Sequence, residues 1–135
     1  MIENCKTEIL DVHEFFDIWL NGNITPNNEN LQRVYDSFAD DFTLITPGGE
    51  IFDKESLANG LLKAHGSRKN ELIRIKNVDG RMISDEICLM MYEEWQGSRE
   101  NPRVRLSTAL FRQNENTPNN AEWVNLNEVW IKKRR

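Results

Sequence analysis

An α+β fold is what this 135-residue chain predicts, and three observations carry the prediction. Apolar residues recur at three- and four-residue spacing through the first third. The period then shortens, and the second half of the chain reads as strands. Helices come first and strands follow, instead of alternating as in a doubly wound sheet. The length is that of one domain, at about 150 residues per domain, so residues 1–135 are expected to form a single unit with a short basic tail, 132–135.

The elements follow in order. Ile9, Val12, Phe16, Trp19 and Leu20 make the stripe of a first amphipathic helix. Asn21-Gly22-Asn23 ends it, with Gly22 suited to a left-handed cap. A second, shorter helix presents Leu31, Val34, Tyr35 and Phe38 on one face. Phe42, Leu44 and Ile45 with Thr43 and Thr46 suggest a strand, Pro47-Gly48-Gly49 a turn, and Ile51-Phe52 a short return strand. Lys54 to Ala64 reads as a third helix. Four strands remain: Leu72–Asp79, Ile83–Gln96, Arg103–Gln113 and Glu122–Lys132.

Composition narrows the function classes. Seventeen basic against 22 acidic residues give a net charge of −5, and four of the basic residues are the terminal Lys132, Lys133, Arg134 and Arg135. An acidic body of this kind is a poor partner for nucleic acid or an anionic membrane, so neither is expected. No apolar run approaches a membrane span, and Met-Ile-Glu-Asn-Cys-Lys does not read as a signal peptide. Cys5 and Cys88 form no disulfide framework and no metal spacing, so a reducing cytoplasm is the expected compartment. Asp40-Asp41 lacks further ligands at a fitting spacing, and neither metal nor cofactor is expected.

Hairpin arithmetic registers the last three strands. The loop at 97–102 pairs residues summing to about 199, placing Glu94 opposite Arg105, Tyr92 opposite Ser107 and Met90 opposite Ala109. The loop near residue 117 gives a sum of about 234, placing Trp123 opposite Phe111, Asn125 opposite Ala109 and Asn127 opposite Ser107. One face then carries Cys88, Met90, Tyr92, Glu94, Arg105, Ser107, Ala109, Phe111, Trp123, Asn125, Asn127 and Val129, the mixture of a ligand pocket. The opposite face carries Leu89, Met91, Trp95, Leu106, Leu110, Leu126 and Trp130, with Glu93, Val104, Thr108, Val124 and Glu128 between them. Helices can cover one face of a single sheet, so the apolar face is expected to make a homodimer.

Several runs resemble one superfamily. They are Ser37-Phe38-Ala39-Asp40-Asp41-Phe42 leading into Ile45-Thr46-Pro47-Gly48-Gly49-Glu50, then Tyr92-Glu93-Glu94-Trp95-Gln96, Arg105 to Phe111, and Trp123 to Trp130. With the element order they resemble the NTF2-like (cystatin-like α+β cone) superfamily, in its SnoaL-like and DUF4440-like branch. The resemblance implies helices packed on a strongly curved mixed or antiparallel sheet, a conical pocket on the concave face and a dimer on the convex one. It implies no single activity, because the superfamily holds isomerases, dehydratases, cyclases and members without known activity. DUF4440-like chains and kinase association domains often carry His at alternate positions after the final-strand Trp. Asn125 and Asn127 stand there in this chain, and Asn does not shuttle protons near neutral pH.

The candidate site follows from the pocket face. Arg105 could hold an anionic group, with Glu94 orienting it or acting as base; a cross-strand ion pair that only fixes register is the structural alternative. Tyr92, Ser107, Asn125 and Asn127 could hydrogen-bond a ligand, or satisfy one another. Tyr35 and Trp123 could wall the pocket or be plain core. His13 flanks the first helix's stripe and could serve as a general base or as a partly buried structural His. Catalytic residues are otherwise unknown, with Glu94 and His13 the candidates. The expected function is binding of a small, partly apolar molecule in the cone, with turnover undecided. An isomerase-, dehydratase- or cyclase-like enzyme using a pocket carboxylate or His is the first alternative, and a dimeric interaction module the second.

Overall fold

A computed structural model describes residues 1–69 and 71–131, so the basic tail at 132–135 lies outside the described residues. Three helices, α1 (Ile2–Leu20), α2 (Asn28–Ser37) and α3 (Lys54–Ala64), accompany six strands. The strands are β1 (Phe38–Ile45), β2 (Ile51–Asp53), β3 (Arg74–Met82), β4 (Ile87–Gln96), β5 (Arg103–Gln113) and β6 (Ala121–Trp130). They form one sheet in the order β2-β1-β6-β5-β4-β3. Only β1 and β6 run parallel, and the other neighbours are antiparallel. The architecture is the α+β arrangement that the periodicity predicts.

Local chemistry sets the helix boundaries. The Asn27 side chain accepts the Asn30 amide at 2.8 Å and Asp53 accepts the Ser56 amide at 2.8 Å, each closing an N-terminal turn. Gly22 follows α1 at φ +79°, and a Cβ there would lie 3.2 Å from the Gly66 Cα. Both the left-handed backbone and the close approach call for glycine. That approach lets Gly66 and Arg68 donate their amides to the Trp19 and Leu20 carbonyls, which pins the segment after α3 against the end of α1.

The strand expected at Leu72–Asp79 runs from Arg74 to Met82, and two further boundaries differ from the sequence expectation for a visible reason. Phe38 opens β1 instead of closing α2: it pairs with Trp123 of β6, and the two rings stack at 5.3 Å and 10°. That long-range contact overrides the local helical spacing. The long strand begins at Ile87, not Ile83, because Ile83 donates its amide to the Ile87 carbonyl and 83–86 becomes the β3–β4 turn.

The register between β4 and β5 is the expected one, with Glu94↔Arg105, Tyr92↔Ser107 and Met90↔Ala109. Between β5 and β6 it holds for Phe111↔Trp123 and then changes. Leu110 pairs with Asn125, Ala109 with Leu126, Ser107 with Glu128 and Arg105 with Trp130. Val124 is the extra residue of a β-bulge, and a one-residue slip turns every later side chain to the other face. Asn125, Asn127 and Val129 therefore leave the concave face, while Leu126, Glu128 and Trp130 join it. The expected dimer face loses Leu126 and Trp130 and keeps Leu89, Met91, Trp95, Leu106 and Leu110. Burial follows the corrected register: Leu126 and Glu128 are buried, Asn127 and Val129 exposed.

Candidate functional site

Side chains from α1, β4, β5 and β6 meet at the polar end of a cavity of about 250 Å³ between the helices and the concave face. Its walls are apolar: Phe16 of α1, Phe38 and Phe42 of β1, Leu57 and Leu61 of α3, and Trp123 and Leu126 of β6. His13, Glu94, Gln96, Arg68, Arg105 and Glu128 form the polar end.

Strand alternation brings Glu94 and Gln96 to the same face of β4, and cross-strand pairing puts Arg105 beside Glu94. His13 reaches the pair from α1. Its Nδ1 lies 2.7 Å from the Ile9 carbonyl oxygen, and its Nε2 lies 2.8 Å from Glu94 Oε1. An acceptor oxygen faces each ring nitrogen. Glu94 Oε2 accepts from Gln96 Nε2 and from Arg105 Nε and Nη2, the Nε contact being 2.9 Å. Arg68 Nη1 donates to Gln96 Oε1 at 3.0 Å. Arg105 Nη1 approaches Glu128 Oε1 at 3.2 Å. The polar end is thus a continuous chain from Arg68 through Gln96, Glu94 and Arg105 to Glu128, with His13 beside Glu94.

The two carboxyls are pushed in opposite directions. Burial acts to raise both. At Glu94 the hydrogen bond and charge of His13, with Arg105 and Gln96, outweigh burial and hold the carboxyl well below the usual range. At Glu128 burial dominates over the attraction of Arg105, Glu94 adds repulsion, and the carboxyl is pushed up to about 7. Arg105, despite burial, is held above its ordinary value by Glu94 and Glu128.

Beneath this chain, Tyr92 and Ser107 face each other across β4 and β5 and are fully covered. Neither hydroxyl has a hydrogen-bond partner among the described residues. Burial first, then Glu94 and Glu128, raises the Tyr92 phenol well above its ordinary value.

The sequence candidates thus divide by place. Glu94, Arg105, Trp123 and His13 line the cavity together. Tyr92 and Ser107 share the concave face but lie below the lining. Asn125 and Asn127 are on the other face, for the reason of the bulge. Tyr35 lies outside the cone, where its hydroxyl donates to Glu55 at 3.0 Å and Lys54 covers its ring. Sequence reasoning missed Glu128, Gln96 and Arg68. Gln96 was readable, two residues beyond Glu94 on one strand. Glu128 was hidden by the bulge, and Arg68 by a loop whose path depends on the Gly22–Gly66 contact. His65 donates from Nε2 to the Ile24 carbonyl, 2.6 Å away, and meets the Trp19 ring edge-on at 5.3 Å. Among the described residues no group of three His, Cys, Asp or Glu side chains could hold a metal.

Trp123 is positioned by a second buried cluster. Glu8 of α1 accepts its indole Nε1 at 2.8 Å, Arg33 Nη2 of α2 at 2.8 Å and Asn119 Nδ2 at 2.9 Å. Both carboxylate oxygens are engaged, so α1, α2 and β6 are locked together around the cavity's aromatic wall.

The helices over a mixed sheet and the cavity between them are the marks of the NTF2-like, cystatin-like fold. The closely similar solved structures are of that fold. An NTF2-like protein of unknown function from Pseudomonas aeruginosa superposes with a TM-score of 0.83 at 24% identity, over 96% of this chain and 99% of that one. An NTF2-like protein of unknown function in nutrient uptake from Rhodospirillum rubrum gives 0.64 at 12% identity, over 91% and 98%. A cystatin-like protein of unknown function from Nostoc punctiforme gives 0.64 at 15%, over 93% and 90%. The chain belongs to the sucrose-6-phosphate phosphohydrolase C-terminal family, whose model matches residues 5–132. No curated protein matches the chain.

Proposed function

We propose that the protein binds a small, partly apolar molecule in the cone, its polar group against the Arg68–Glu128 chain. The observation that carries this reading is a cavity of about 250 Å³ with apolar walls and one convergent polar end. A cavity of about 150 Å³ accepts benzene, so this one suits a two-ring body. The name of the family suggests a sugar phosphate as ligand. The walls argue otherwise, because Phe, Leu and Trp side chains offer a sugar's hydroxyls few partners.

Glu94 supports binding better than base catalysis. Both of its oxygens are engaged and its carboxyl is held ionised, which leaves a weak proton acceptor. An isomerase-, dehydratase- or cyclase-like activity of the SnoaL kind remains the second reading. It is favoured by Glu128, a buried cavity carboxyl that changes charge near neutrality. A second copy of the chain is the proposed partner for the convex face, where Met91 is 47% and Val129 56% exposed beside half-buried Leu89, Leu106 and Leu110.

Gly60 of α3 provides the test. It lines the cavity, and a Cβ added there meets nothing within 4 Å. Gly60→Phe should fill the cone without disturbing the helix. Saturation-transfer NMR with naphthalene-sized probes is expected to show binding to the unmodified chain and its loss in Gly60→Phe. Equal signals from both, or none from either, would refute the reading.

A further inference from the structure

We propose that the molecule bound in the cone is a small apolar carboxylate, and that Glu128 takes up a proton when it binds. This rests on the ligand-binding reading above and names the ligand's polar group.

The division of Arg105 between two carboxyls is the first ground. Glu94 takes Nε and Nη2 and adds Gln96 and His13, so its charge is matched on every side. Glu128 receives only Nη1, on Oε1, at 3.2 Å. Its Oε2 has no partner among the described residues. Two carboxyls competing for one guanidinium cannot hold their charge equally, and the less well paired one is left to titrate. Glu128 lines the cavity while only 6% exposed, so what it still presents is presented to the ligand space.

Charge balance is the second ground. The groups facing Glu128 are His13 of α1, Tyr92 and Glu94 of β4, Ser107 and Arg105 of β5 and, along the polar chain, Arg68 from the segment after α3. The cavity stretch of β1 brings no charge. Two guanidinium groups on the lining, those of Arg68 and Arg105, face the single firmly ionised carboxyl of Glu94. An anion restores the balance, and a carboxylate oxygen can accept from both a protonated Glu128 and a guanidinium. An ionised Glu128 would instead repel it. The proton taken from solvent stays on Glu128, and no bond of the ligand changes. The apolar walls take the rest of the molecule.

Isothermal titration with 2-naphthoate and the neutral 2-naphthamide, in two buffers of different ionisation enthalpy, tests this. Naphthoate is expected to bind more tightly than the amide at pH 6. Its affinity should fall about tenfold between pH 6 and pH 8, as the protonated fraction of a carboxyl near 7 does. The buffer dependence of the heat should report about one proton taken up at pH 8. Glu128→Gln should bind naphthoate with neither the pH dependence nor the uptake. Should that variant not fold, proton uptake by the unmodified chain decides alone. Amide binding as tight as acid binding, no uptake, or an unchanged profile in Glu128→Gln overturns the proposal and leaves binding standing. Absence of binding by both probes overturns this proposal and the ligand-binding reading together.

Discussion

Replacing Glu128 by Gln should make the protein more stable in alkaline solution while leaving it nearly unchanged in acid. The folded carboxyl is raised from an ordinary 4.5 to about 7. A group raised in the folded state contributes stability that is full below its unfolded value and is lost as pH rises through the folded one. The interval is therefore pH 4.5 to about 7. At about 1.4 kcal/mol per pH unit the loss is on the order of 3 kcal/mol, a large part of a domain's stability. Glu94 works in the opposite direction: its depressed carboxyl contributes stability above 4.5 that is lost as pH falls below it. Together the two carboxyls place the most stable pH in the mildly acid range. Gln keeps an oxygen for Arg105 and cannot ionise, so it removes only the Glu128 contribution. Urea unfolding at pH 5, 6, 7 and 8, with the denaturant slope compared between proteins, reads the effect. The stability difference between Glu128→Gln and the unmodified chain must open as pH rises. A constant difference across the series refutes the reasoning.

Two further predictions follow from other parts of the molecule. Glu8→Ala should cost about 3–5 kcal/mol in urea unfolding, because it leaves the Arg33 charge, the Trp123 indole and Asn119 without their shared buried acceptor; Glu8→Gln, which keeps an acceptor oxygen, should cost less. The unmodified chain should sediment as a dimer and Met91→Glu as a monomer, with the far-ultraviolet circular dichroism unchanged; a monomeric parent would remove the convex face from consideration.

Much of the fold is legible because it depends on local periodicity. The stripe through Ile9, Val12, Phe16 and Trp19 specifies α1, and the bounds Lys54–Ala64 and Arg103–Gln113 agree with the structure to the residue. The β4–β5 register is legible too, since the loop at 97–102 joins the strands without a bulge. Glu94 and Arg105 therefore meet where the sequence places them. Phe38 is the contrary case: its spacing from Leu31, Val34 and Tyr35 is helical, and only the stacked Trp123 ring, far along the chain, makes it a strand residue.

The sequence by itself determined the α+β class, the helix stripes, the meander of the last strands and the Glu94–Arg105 pair, all of which follow from short-range pattern. Tertiary structure alone decided which carboxyl completes the polar end. Val124 is a residue like any other strand former in the string, yet its bulge exchanges Asn125 and Asn127 for Leu126 and Glu128 on the concave face. Nothing in a period of two announces an inserted residue. Whether a strand bulges is settled by what both of its neighbours require, and here β6 must pair with β5 on one side and with β1, running parallel, on the other.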